Sequence, residues 1–349
     1  EEARYANKKG YSKHEPALPL FRMADARAAL KLLESAAFDH WHEIHPGIRF
    51  RYHRQGHILG AASLHIDVMD RRIVFSGDLG RPSHPLLRNP DPIGAADVVV
   101  VESTYGDREH VVVDDGVIGR AVSDAAGCGG VVIIPAFAVD RTEVVLWHLD
   151  QLVERGVVPG LPIFVDSPMA SRALALYRDE RRRRSPEFRP ELYERELFSS
   201  LDIVETRTAD ESKMLNDRLG PFVIVSASGM ATGGRVLHHL ANRIGDSRNS
   251  VLLVGFQAPG TRGDRLRHGA STLRMFGHDF PVYATIESVE LSAHADRSEL
   301  LDWLATAAVP DRVLVNHGEV DAAESLAEAV RHQLHLPVEV ASPDRRIEL

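Results

Sequence analysis

His57, inside Gly56-His57-Ile58-Leu59-Gly60, and Asp78, inside Ser76-Gly77-Asp78-Leu79-Gly80, are a neutral imidazole and a carboxylate, the groups that bind zinc. Further along, Glu102 closes an apolar run, His294 stands in Ser292-Ala293-His294-Ala295-Asp296, and His317 stands in Asn316-His317-Gly318-Glu319. Each of these, taken alone, also reads as an ordinary turn residue. Cys128 is the single cysteine, so any metal must be held by His, Asp and Glu. His40, His42 and His45 are spaced like the start of an H-x-H-x-D-H metal motif. Ile44 occupies the carboxylate position of that motif, and the three read as surface histidines on a strand.

The elements around these residues must bring them together. Leu64, Ile66 and Val68, then Ile73 and Phe75, alternate as two strands with one buried face. With Asp70-Arg71 as the loop, Met69 faces Arg72 and Ser63 faces Asp78. The hairpin then returns Asp78 to the end where His57 leaves its loop. Residues 97–101 form a short buried strand that delivers Glu102 to its C-terminal edge, where open α/β sheets keep their ligands. Strands at 131–135, 163–166, 222–226 and 251–256 alternate with helices at 141–155, 168–178, 211–219 and 234–244, which predicts parallel pairing. The turns at 166–168, 226–229 and 255–263 present backbone N–H groups at helix N-termini, a seat for phosphate. Ser228 and Gly229 lie in the second, and Arg262, Arg265, Arg267 and Arg274 follow or flank the third. The run Arg181 to Arg184 reads as a solvated face. Amphipathic spacing predicts a helix over 24–37, begun near Asp25, and another over 298–304 capped by the residues before it.

A chain of 349 residues makes about two domains. With 44% hydrophobic and 26% charged residues it has the composition of a globular protein. It contains no apolar run of about 18 residues, so no membrane span is expected. One cysteine fits a reducing compartment, and a cytoplasmic location is expected. A net charge of -9 argues against a surface that coats nucleic acid broadly, while leaving a local groove open. Residue 1 is Glu, and residues 1–10 read as the middle of a charged helix, so the chain is expected to be truncated at its N-terminus.

The blocks GHILGAAS, SGDLG, ESTYGD, DSPMA, SASGMATGGRVLHH, LLVGFQAPGTRG, SAHAD and NHGE, in this order, resemble the β-CASP branch of the metallo-β-lactamase superfamily. These are nucleases related to the mRNA 3′-end cleavage endonuclease and its bacterial and archaeal homologues. The resemblance implies an α/β fold: a four-layer αβ/βα metallo-β-lactamase domain, residues 1–108 and 285–349, interrupted by a β-CASP α/β insert at 109–284. It implies that His57, Asp78 and His317 are metal ligands and that Glu102 and His294 belong to the acidic and histidine motifs beside them. Two Zn2+ ions sharing Asp78 would activate water and polarise a scissile phosphate. His294 would protonate the leaving sugar oxygen, oriented by Glu102. Ser228, Gly229, Arg262 and Arg265 would hold substrate, single-stranded RNA, in the cleft closed by the insert. A homodimer is allowed and no membrane partner is implied. The family's H-x-H-x-D-H motif has no counterpart here, so the metal site is expected to be incomplete in this chain. The alternatives are a non-catalytic RNA-binding scaffold of the same family, or another hydrolase of the metallo-β-lactamase fold.

Overall fold

In a computed structural model, the described residues are 2–10, 14–342 and 346–347. Glu1, the first residue of the charged N-terminal stretch, lies outside them; Glu2–Lys9 is a helix. Two sheets organise the rest. The first has seven strands in the order His42–His45, Ile48–Arg54, Ala62–Val68, Arg71–Phe75, Val98–Val101, Arg312–Val315 and Val338–Val340. The first four pair antiparallel. From Arg71–Phe75 onward the pairing is parallel. Parallel strands run the same way, so Arg71–Phe75, Val98–Val101 and Arg312–Val315 release their chains at one edge. Asp78, Glu102 and His317 follow at that edge.

The second sheet has six strands, all parallel, in the order Thr285–Val289, Ser250–Val254, Val131–Pro135, Phe222–Ser226, Pro162–Val165 and Asp202–Glu205. Its central strands are unbroken apolar runs because both faces are covered. Helices Asp115–Cys128, Arg141–Glu154 and Pro168–Arg182 pack on one face through Val122, Leu146, Leu149 and Leu174. Helices Ala209–Asp217, Val236–Arg243 and Arg262–Arg267 pack on the other through Leu215, Leu240 and Leu266. The insert is therefore doubly wound. Its sheet also takes in Thr285–Val289, which the sequence places in the returning segment. That strand pairs along its whole length with Ser250–Val254 and buries Val289 in the insert core, so the crossing back falls after residue 289 rather than after 284.

The hairpin turns one residue earlier than expected. Met69 adopts a φ of 55°, the loop is Met69-Asp70, and Val68 faces Arg71 while Leu64 faces Phe75. A slip of two in register leaves every side chain on its expected face. Which face is buried differs more. Among the described residues Leu64, Ile66 and Val68 are only half-buried and Phe75 is 40% exposed, although Ile73 on the same face is buried against Val98 and Leu314; Ser63, His65 and Val74 on the opposite face are all buried. Val74 belongs to the core made by Val99, Val101, Val313 and Val315 with helices Arg297–Leu304 and Val320–Ala329. The expected helix over 24–37 is also shorter, Met23–Leu30, capped by Arg22 and Asp25. Leu30 and Leu33 remain exposed, and a short helix with no apolar face buried does not propagate.

The buried histidine of the hairpin has a consequence for stability. Burial first, then the positive charges of His53, Arg51 and Arg72, push His65 down to about 3. The unfolded chain takes up that proton near its ordinary pKa of about 6.5. Stability from this group is therefore complete above about pH 6.5 and declines as pH falls toward 3. His65→Gln should reduce the loss of unfolding free energy between about pH 7 and 4.5 by about 2 kcal/mol. Urea unfolding of both proteins at the two pH values measures it; parallel curves would contradict the assignment.

Candidate active site

Asp78 is where the candidate residues meet. Its Oδ2 lies 3.8 Å from His57 Nε2 and its Oδ1 lies 3.3 Å from His317 Nδ1. Ligand atoms of His57, Asp78 and His294 lie within 4.8 Å of one another, and so do those of Asp78, Glu102 and His317. The two groupings share Asp78 alone.

Close backbone contacts make this possible. Gly80 sits against the loop bearing His57: a Cβ on Gly80 would stand 2.2 Å from the Gly56 carbonyl and 2.4 Å from the His57 nitrogen. Gly56 has a φ of 63° and passes within 2.1 Å, for an added Cβ, of the Arg88 carbonyl oxygen. Gly80 pairs with His294 as an isolated bridge, and Ala295 N–H donates to the Leu79 carbonyl at 2.8 Å. His317 takes a φ of 51° just past its strand, and its loop is tied to Ser103, whose Oγ donates to the Asn316 carbonyl at 2.8 Å.

His294 Nδ1 faces both carboxylate oxygens of Glu102, at 3.1 and 3.2 Å. Glu102 is buried, which by itself would raise its pKa. The hydrogen bond and charge of His294, with hydrogen bonds from Thr104 and the Leu79 N–H, outweigh burial and hold the carboxyl below the usual range. An ionised Glu102 fixes Nδ1 of His294 as a donor and turns the other ring nitrogen away from it. The His57 and His294 rings stand 4.3 Å apart. Burial, then His294, push the His57 pKa down, with Asp78 opposing. Its buried Nδ1 has no hydrogen-bond partner. A neutral histidine whose other nitrogen, Nε2, stands 3.8 Å from the Asp78 carboxylate fits a metal such as zinc. A further grouping, Asp39, His53 and Asp91, is occupied by Arg54, which binds Asp39 through Nη1 and Asp91 through its backbone N–H.

The remaining expected residues are held by local contacts of the insert. Ser228 Oγ accepts from the N–H of Thr232 at 3.1 Å, shaping its own turn. Gly229 packs so closely on Phe137 that an added Cβ would stand 3.0 Å away. Arg262 donates to the carbonyls of Arg274 and Thr232, and Arg265 donates to that of Thr272. Neither arginine lines the cavity beside His57 and His294. In the basic run, Arg182, Arg183 and Arg184 pair with Asp179, Glu180 and Glu194. Arg181 departs from the solvated reading: it is buried and donates to the Leu192 carbonyl. His40, His42 and His45 stay away from the metal groupings; His42 stacks on Phe50 at 5.1 Å.

Several residues of the site carried no signal by spacing. Thr104 donates to Glu102. Tyr105, Phe137, Arg141 and Phe256 line a cavity of about 320 Å³ together with His57 and His294. They follow three strands, Val98–Val101, Val131–Pro135 and Ser250–Val254, the first in one sheet and the other two in the second.

A sheet edge carrying a shared carboxylate, flanking histidines and a carboxylate-held histidine, with an α/β unit inserted above it, defines a metal-dependent hydrolase of metallo-β-lactamase type. Residues 142–266 match the Beta-Casp domain, and residues 279–341 match the Zn-dependent metallo-hydrolase RNA specificity domain. The chain is 34% identical over 307 residues to a ribonuclease of Thermus thermophilus, covering 86% of this chain and 69% of that protein. It is 30% identical over 323 residues to an RNase J-like protein of Methanocaldococcus jannaschii, covering 91% and 75%. It is 28% identical over 318 residues to the transcription termination factor FttA of Methanosarcina mazei, covering 84% of this chain and 48% of that protein. The chain belongs to the β-CASP family of zinc-dependent metallo-hydrolases within the metallo-β-lactamase superfamily.

Proposed function

We propose that this chain carries the cleavage centre of a ribonuclease that hydrolyses phosphodiester bonds of single-stranded RNA. The observation that carries the reading is Asp78 standing between two histidines while Glu102 holds His294 beside it. Asp78, His57 and His317 would hold metal, zinc by the chemistry of these donors. Bound there, zinc supplies Lewis-acid charge to the scissile phosphate and an activated water. Hydrolysis would form one P–O bond to water and break the bond to the leaving ribose oxygen. His294 gives that oxygen its proton and is held in line by Glu102. Arg262 and Arg265, whose hydrogen bonds go to neutral carbonyls, keep their positive charge for strand phosphates arriving at the rim.

The test is cleavage of an unstructured RNA oligomer by the complete natural polypeptide. Cleavage should stop on dialysis against a chelator and return with zinc. Cleavage that survives metal removal, or unchanged oligomer with zinc restored, would remove this reading.

A further inference from the structure

Arg141 is the first residue of the helix Arg141–Glu154, following the strand Val131–Pro135 and its loop. It is 8% exposed, and its Nε and Nη1 are buried with no hydrogen-bond partner. No carboxylate forms an ion pair with it among the described residues. Asp140, its neighbour in sequence, is spent elsewhere: its Oδ1 accepts from Tyr177 Oη at 2.7 Å and from His84 Nε2 at 3.0 Å. His84 Nδ1 accepts from the N–H groups of Leu86 and Leu87, which leaves Nε2 to donate to Asp140. Asp140 is also the N-cap residue and makes no side-chain cap, so the positive end of the helix is not neutralised there. The charge of the neighbouring Asp140 opposes burial of the guanidinium without giving it a hydrogen bond, so two of its nitrogens stay buried and unbonded beside a helix start, which is costly. An anion would satisfy both.

The surroundings give that anion a shape. Arg141 lines the cavity that also contains His57 and His294. Gly255, with a φ of 122°, passes beside it; an added Cβ would stand 3.3 Å from Nη1. Phe137 and Phe256 line the same cavity and are 43% and 44% exposed, which is high for large apolar rings. Tyr105 lies edge-on to Phe256 at 6.3 Å. Exposed aromatic faces beside a buried cation suit a base and its phosphate. A volume of about 320 Å³ is at the lower end for ligand pockets.

We infer that this cavity is a nucleotide subsite, in which Arg141 binds one strand phosphate and the rings of Phe137 and Phe256 receive the adjoining base. The inference rests on the ribonuclease reading for its strand but on Arg141 and the cavity for its chemistry. The subsite lies on the insert side of His57 and His294, so a phosphate held there sets how far the strand advances past His294. Binding is to phosphate and ring faces, so it discriminates little between bases.

The experiment titrates uridine 5′-monophosphate and uridine into the metal-free 349-residue chain at low salt, followed by calorimetry. The monophosphate should bind about tenfold more tightly than the nucleoside, and Arg141→Gln should erase that difference while uridine binding stays unchanged. Arg141→Lys should recover part of it, because it restores charge without the planar fork. Phe256→Ala should weaken both ligands together. Arg183→Gln, whose native side chain is paired with Glu180, serves as the control. Circular dichroism checks folding; if Arg141→Gln unfolds, Arg141→Lys and displacement of the monophosphate by inorganic phosphate decide. Equal binding of the monophosphate by wild type and Arg141→Gln, or no binding up to about 10 mM, overturns the subsite. Zinc-dependent RNA cleavage is assayed separately, so failure of the subsite with cleavage intact is told apart from failure of the ribonuclease reading.

Discussion

His294→Ala in the complete natural polypeptide should retain bound zinc and lose about a hundredfold or more in turnover, the scale expected for removing a general acid. The geometry separates the two readouts. Nδ1 of His294 is committed to Glu102 at 3.1 Å, which leaves the other ring nitrogen to serve the leaving oxygen, while Asp78, His57 and His317 stay in place when the ring is removed. His317→Ala and Asp78→Ala should instead release metal, because Asp78 is common to both groupings and His317 lies 3.3 Å from it. Metal content by atomic emission after dialysis, beside cleavage rates at saturating RNA, distinguishes the roles. His294 itself has a ligand atom in the grouping with His57 and Asp78. Zinc lost on its removal would therefore make it a ligand rather than an acid.

Gly80→Val should be nearly as damaging without touching a single candidate ligand. A Cβ at that position would meet the Gly56 carbonyl at 2.2 Å and the His57 nitrogen at 2.4 Å, and these are backbone atoms with no rotamer to move. Either the His57 loop is pushed away, or the bridge from Gly80 to His294 opens. We expect a loss of about 3 kcal/mol or more in unfolding free energy, at the upper end for overpacking, together with loss of metal. Thermal unfolding and metal content report it. A Gly80→Val protein with native stability and native metal content would show that the close approach is not needed.

Much of the site could be read from residue types and order. The sequence by itself determined that His57, Asp78, Glu102 and His317 stand at strand ends or in glycine-bounded turns, that His294 stands in the segment leading into a helix, and that parallel strands alternate with helices beyond residue 130. Those features are local: a run of Val and Ile is a strand wherever it lies, and glycine is the residue that turns the backbone left-handed at least cost. The hairpin slip and the half-exposed Leu64 and Ile66 face were not local. Which face is covered more completely depends on helices more than 200 residues later, Arg297–Leu304 and Val320–Ala329, which pack against the face of Val74, while the face of Ile73 is covered only around Val98 and Leu314. Arg141 shows the same limit. As a sequence it is one arginine opening an amphipathic helix. Only the tertiary structure turns Asp140 toward His84 and Tyr177, leaves the guanidinium without a partner, and brings it to the cavity of His57 and His294. Pairing and burial are properties of neighbours far apart in the chain, and no spacing along it encodes them.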